Sequence, residues 1–109
     1  MTDQANTIPT YEINKELVLS TAHIQQETSG KLDDLEVNGV IVYNFEYGHR
    51  LHINLGEHET RESYKLALTN CSVPSELIEI MLIAYDFKCK WLLLDQDGPI
   101  MENLKDFPW

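Results

Sequence analysis

The sequence predicts one α+β domain: a two-layer sandwich whose mixed, mostly antiparallel sheet of four or five strands carries two helices on one face. Three observations predict it. The 109 residues suffice for one domain with one core. Hydrophobic residues make up 43%, near the globular norm, which excludes wholesale disorder. Two apolar spacings alternate along the chain, the two-residue period of strands and the three-to-four-residue period of helices.

Each element arises from local chemistry. Residues 1–14, with Pro9 and small polar side chains, read as a flexible arm, and residues 15–109 as the domain. Leu17, Val18 and Leu19 start a first strand. Ser20-Thr21-Ala22-His23 ends it, with Ser20 or Thr21 placed to cap a helix. Ile24, Thr28, Leu32 and Leu35 recur at helical spacing and predict that helix over about 24–36. Gly30 weakens it by about 1 kcal/mol relative to alanine, and Asn38-Gly39 suits its left-handed end. Val40 to Phe45 is β-branched and aromatic, a second strand. Tyr47-Gly48-His49 is a turn. Leu51, Ile53 and Leu55 then alternate with Arg50, His52 and Asn54, completing a hairpin. Tyr64, Leu66 and Leu68 alternate with Lys65, Ala67 and Thr69, which predicts a third meander strand; a short helix is the alternative.

Pro74 opens the clearest helix, with Glu76 and Glu79 near its positive end and Lys88 and Lys90 near its negative end. Leu77, Ile80, Met81, Ala84 and Phe87 form its buried stripe. Leu82 shares a face with Glu79 and Asp86 and is expected at the surface. Trp91 to Leu94 is a continuous apolar run, as in a central strand, and Asp95 to Pro99 is a turn. The order β-α-β-β-(β)-α-β is that of a ferredoxin-like variant. Each helix connects strands of one sheet, so both cover the same face. Tyr43, Phe45 and Tyr47 are candidates for a contact surface on the other.

Charge narrows the function. Eighteen acidic against eight basic residues give a net charge of -10. Direct binding to nucleic acid or to anionic membranes is thereby disfavoured, because phosphates repel such a surface. A basic protein surface fits it. Two cysteines, Cys71 and Cys89, are too few for a disulfide scaffold, which points to the reducing cytoplasm. The first ten residues lack the pattern of a secretion signal, and the apolar run from Leu77 to Tyr85 is too short to span a bilayer.

Four constellations bear on chemistry. Asp95-Gln96-Asp97-Gly98 after an apolar strand looks like the nucleophile motif of haloacid-dehalogenase-type phosphatases. That family places a large domain after the motif, and eleven residues follow Gly98 here; the same residues begin a calcium loop without its later ligands. A turn is the expectation. With His23, Asp95 and Asp97 define an alternative reading, a small metal-dependent or hydrolytic enzyme. His49, His52 and His58 are close enough in sequence to suggest a metal, but strand alternation points His49 and His52 to opposite faces. Cys89, between Lys88 and Lys90, sits where small buried cysteines are common. No Gly-rich phosphate loop or GxSxG elbow is present, and no cofactor is expected. Finally, Asp33, Asp34 and Glu36 cluster after the first helix, and Glu57, Glu59 and Glu62 cluster after the hairpin. Carboxylates at phosphate-like spacing stand in for DNA in a basic groove.

Ser20-Thr21-Ala22-His23, Val42-Tyr43-Asn44-Phe45-Glu46-Tyr47-Gly48, Cys89-Lys90-Trp91-Leu92-Leu93-Leu94-Asp95-Gln96-Asp97-Gly98-Pro99 and Pro108-Trp109 together resemble an uncharacterised family of small acidic proteins. Its members occur in bacteria, phages, plasmids and mobile elements. The resemblance spans most of residues 16–109 and implies a context, since small acidic proteins on mobile elements often counter host defence. The expected function is therefore that of a non-enzymatic, cytoplasmic protein-binding inhibitor. It would cover the basic nucleic-acid-binding surface of a bacterial defence protein, a CRISPR effector or restriction enzyme, as a DNA mimic. A dimeric adaptor joined through a sheet edge or the aromatic face is the third reading.

Overall fold

Residues 11–109 are described by the structure, a computed structural model. Most of the arm predicted over 1–14 lies outside the described residues. Strand β1 (Glu16–Ser20) runs into a short 3-10 turn (Thr21–His23) and helix α1 (Gln26–Asp33). The hairpin β2 (Val42–Phe45) and β3 (Gly48–His52) is next in the chain. Then come helices α2 (Arg61–Asn70) and α3 (Ser75–Asp86), and strand β4 (Trp91–Asp95).

The sheet order is β1-β4-β3-β2, with β1 parallel to β4 and the other two pairs antiparallel. β4 is central, as its apolar run requires. β1 and β2 run the same way with both β4 and β3 between them, where a ferredoxin-like split unit has one intervening strand. Register sets the core. Leu17 and Leu51 both pair with Leu92, and Leu19 and His49 both pair with Leu94. These lie on one face with Ile53, under Leu32, Leu77, Ile80, Met81 and Ala84. The alternate residues Val18, Arg50, Tyr43, Phe45, Trp91 and Leu93 keep part or much of their surface exposed, so the helices cover one face only.

Close backbone approach fixes one glycine in the hairpin. A Cβ on Gly48 would overlap the Leu94 carbonyl oxygen, an impossible contact.

Three expectations need correction. The segment predicted as a third meander strand is helix α2. A two-residue period and a four-residue period share Tyr64 and Leu68, which are buried. Leu66 decides between them and is 61% exposed. Thr60 caps the helix: its side chain accepts from the Ser63 amide, while the Ser63 hydroxyl answers to the Thr60 amide. The domain thus has four strands and three helices among the described residues.

Second, α1 ends at Asp33, short of the predicted 36. Ile24, Thr28 and Leu32 are buried as expected, but Leu35 has left-handed backbone (φ 57) and is 67% exposed. Gly39 also has positive φ, in the loop beyond. Third, Leu82 is buried and Phe87 exposed, the reverse of expectation. α2 packs along α3 and covers the face bearing Ile78 and Leu82. Arg61 at the start of α2 donates from Nε to both carboxylate oxygens of Asp86 at the end of α3, each at 3.1 Å, holding the two helices in antiparallel contact.

Candidate functional site

His23 is 1% exposed, and both its ring nitrogens are occupied. Nδ1 lies 2.8 Å from the Lys105 carbonyl oxygen, and Nε2 accepts from the Met101 amide at 3.0 Å. A carbonyl can only accept, so the proton sits on Nδ1. The ring fastens the C-terminal segment to the 3-10 turn. Two further bonds do the same: Phe107 N–H to the Ala22 carbonyl at 2.7 Å and Trp109 Nε1 to the Ile24 carbonyl at 2.8 Å.

Asp95 and Asp97 form a turn, as their residue types suggest. The Asp97 amide donates to the Asp95 carboxylate at 2.9 Å, and the Gly98 amide to the Asp95 carbonyl at 2.9 Å. The turn is tied to both neighbours, through Gln96 N–H to the Tyr47 carbonyl (2.9 Å) and Ser20 N–H to the Pro99 carbonyl (2.8 Å). Gly98 passes so close to β1 that a Cβ would lie 2.6 Å from the Leu19 carbonyl oxygen. No hydrogen bond or ion pair joins His23 to either aspartate among the described residues.

The three central histidines diverge. His49 points into the core. His52 packs edge-on against Trp91 with centroids 5.2 Å apart, and His58 stacks on Tyr64 at 4.9 Å. Among the described residues no group of three or more potential ligands is placed to hold a metal ion. Cys89 is buried at the end of α3, where its amide donates to the Ala84 carbonyl at 2.9 Å; Cys71 is exposed, and both thiols are free.

The acidic clusters flank opposite ends of β3. Asp33 lies near its first residues, with Oδ1 3.6 Å from His49 Nδ1. Asp34 and Glu36 come after it at the negative pole of α1 and are exposed. Beyond the other end, Glu57 accepts from the Asn54 side chain at 2.8 Å, Glu59 is exposed, and Glu62 stands in the first turn of α2.

The open sheet face centres on Trp91, which sequence reading left out of the site. The Arg50 guanidinium lies 3.9 Å above its ring centroid and is paired with Glu16 at 2.8 Å. Tyr43 meets the same ring edge-on at 5.9 Å. Tyr43 and Phe45 are exposed here, as expected, whereas Tyr47 sits in the hairpin turn.

One further constellation was not anticipated. Asn44 and His49 face each other across the hairpin. Asn44 Nδ2 donates to the Leu32 carbonyl at 2.9 Å and approaches the Asp33 carbonyl at 3.4 Å. Its Oδ1 therefore faces His49 Nδ1, 2.6 Å away, and that nitrogen must carry the proton. Nε2 is left as an acceptor, and the Ser29 hydroxyl lies 2.8 Å from it. His49 is 2% exposed. Burial lowers its pKa below the ordinary histidine value, against a smaller opposing pull from Asp33. Ser29 is half-buried on the wall of a cavity of about 190 Å³, which Phe45, Tyr47 and Trp109 also line.

These features define a two-layer α+β domain with an open aromatic sheet face, an acidic pole and a small polar cavity. The chain belongs to the family described as "Family of unknown function (DUF5983) C-terminal domain", whose profile matches residues 16–109. No curated protein and no solved structure matches it. Among the described residues no helix is long and apolar enough to cross a membrane.

Proposed function

We propose that the protein is a protein-binding inhibitor of mobile-element origin. It counters a host defence nuclease, a CRISPR effector or restriction enzyme, by covering its basic nucleic-acid-binding surface. The supporting observation is the tip of α1. Asp33, Asp34 and Glu36 crowd the pole where the helix dipole is already negative, so their fields add. Between them Leu35 stands exposed in a conformation that costs a bulky residue about 1 kcal/mol. An apolar anchor ringed by carboxylates suits a basic surface with an apolar slot. The origin rests on the resemblance of the sequence motifs. Glu57, Glu59 and Glu62, at the other end of β3, are the second acidic group offered to the basic surface.

The test is a tagged pull-down from lysate of the bacterial host, washed at low and high salt. The expected result is a nuclease or CRISPR subunit retained at low salt and released at high salt, because exposed charge pairs are screened. Exchanging Asp33, Asp34 and Glu36 together for serine is expected to abolish capture. Capture by that variant at the wild-type level would overturn the proposal.

A further inference from the structure

We propose that Ser29 is an activated nucleophile and that the cavity before it takes the acyl group of a small, uncharged or cationic ester. This goes beyond surface occupancy and does not depend on it. The directions of four hydrogen bonds carry it. Two main-chain carbonyls, of Leu32 and Asp33, fix the Asn44 amide, so its oxygen accepts from His49 Nδ1 at 2.6 Å. The bare Nε2 then receives the Ser29 hydroxyl at 2.8 Å. A serine hydrogen-bonded to a neutral imidazole, itself oriented by a third group, is the ground state of a general-base-activated alcohol. The buried His49 requires a donor at this helix position, and Ser29 supplies it from the wall of an open cavity.

The surroundings complete the chemistry. Asp33 Oδ1, 3.6 Å from Nδ1, favours the imidazolium that forms when His49 takes a proton. Burial keeps the ring neutral beforehand and able to act as a base. Thr21 and Gln96 line the same cavity, and a hydroxyl and a side-chain amide are groups that can donate to a developing oxyanion. Phe45, Tyr47 and Trp109 give it apolar walls, and Asp33 and Glu46 at its rim repel anionic substrates.

The step balances. Ser29 Oγ bonds to the ester carbonyl carbon, the carbonyl π pair moves to oxygen, and the hydroxyl proton passes to His49 Nε2. Collapse of the adduct breaks the bond to the alkoxy oxygen, which leaves as an alcohol with that proton. Water then attacks the acyl-serine by the same route, releasing the acid.

The experiment uses the full chain and an uncharged alkyl fluorophosphonate, read by intact and peptide mass spectrometry. The expected result is one adduct, on Ser29, with fluoride lost, and none in Ser29→Ala. His49→Gln is expected to label at least about 100-fold more slowly. Should His49→Gln not fold, the comparison is wild-type chain in buffer against the same chain in denaturant: labelling confined to the folded chain supports the relay. No adduct on Ser29 in the folded wild type overturns the proposal, as does an equal rate in folded His49→Gln or in the denatured chain.

Discussion

His23 and His49 are both buried, and neighbouring carbonyl oxygens place the proton on Nδ1 in each. They differ in what the second nitrogen meets: a main-chain amide that cannot move for His23, a hydroxyl at a cavity for His49. His49 also gives the fold a pH dependence. Its folded pKa lies below the ordinary value of 6.5. Between those two values the unfolded chain binds more protons, so its contribution is present above about 6.5 and is lost as pH falls through the folded value. Urea denaturation at about pH 7.5 and pH 5.5 is expected to show lower stability at the acid pH, and a smaller drop in His49→Gln. A second residue prediction concerns Gly48→Ala. Displacing two main chains at that contact is expected to cost about 3 kcal/mol in the same measurement. The relay around His49 was hidden in the sequence because Ser29, Asn44 and His49 are ordinary polar residues, with Ser29 20 positions and Asn44 5 positions from the histidine. The hairpin was legible; its register, which sets Asn44 directly opposite His49, was the missing step.

All three helices stop in the same way: a residue with left-handed backbone, then an amide that reaches back along the chain to a carbonyl of the last turn. The left-handed residues are Leu35, Ser72 and Lys88. The returning bonds are Glu36 to Lys31 (2.8 Å), Val73 to Leu68 (3.2 Å) and Cys89 to Ala84 (2.9 Å). None of the three positions holds glycine, the residue that signals such ends, so sequence reading placed the end of α1 too late. Leu35→Gly and Ser72→Gly are each expected to raise stability by about 0.5–1 kcal/mol in chemical denaturation. Leu35→Gly should at the same time weaken capture of the partner, which separates an anchoring role from a packing role. At the start of α2, Thr60→Ala removes the capping box and is expected to cost about 1 kcal/mol. The Thr60-x-x-Ser63 spacing was readable, yet alternation over Tyr64, Leu66 and Leu68 outweighed it. Burial of a helix against another helix, rather than against the sheet, is a property no local period reveals, and it also explains Leu82.

For the molecule as a whole, layer class, strand count to within one and the central place of Trp91–Leu94 came from composition and periodicity. The strand order did not, because no local period shows that the last strand inserts between β1 and β3, parallel to one and antiparallel to the other, rather than at the sheet edge. Net charge acts at this scale too. At -10 the chain as a whole repels polyanions. Gel-shift assays with duplex DNA at low salt are expected to show no complex; a retained complex would contradict the inhibitor reading, in which the protein competes with nucleic acid.

The position of β4 has a kinetic consequence. It is the last of the four described strands to leave the ribosome, yet among the described residues β1 pairs with β4 alone and β3 with β4 and β2. Until Trp91–Asp95 emerges, the growing chain can form the β2–β3 hairpin and its helices but no sheet with β1. The strands that close the core are joined across about 75 residues, from Glu16–Trp91 to Ser20–Asp95, a separation that slows folding. Nascent chains stalled before residue 90 would therefore remain open to proteases, and the domain closes only after synthesis has passed its final strand.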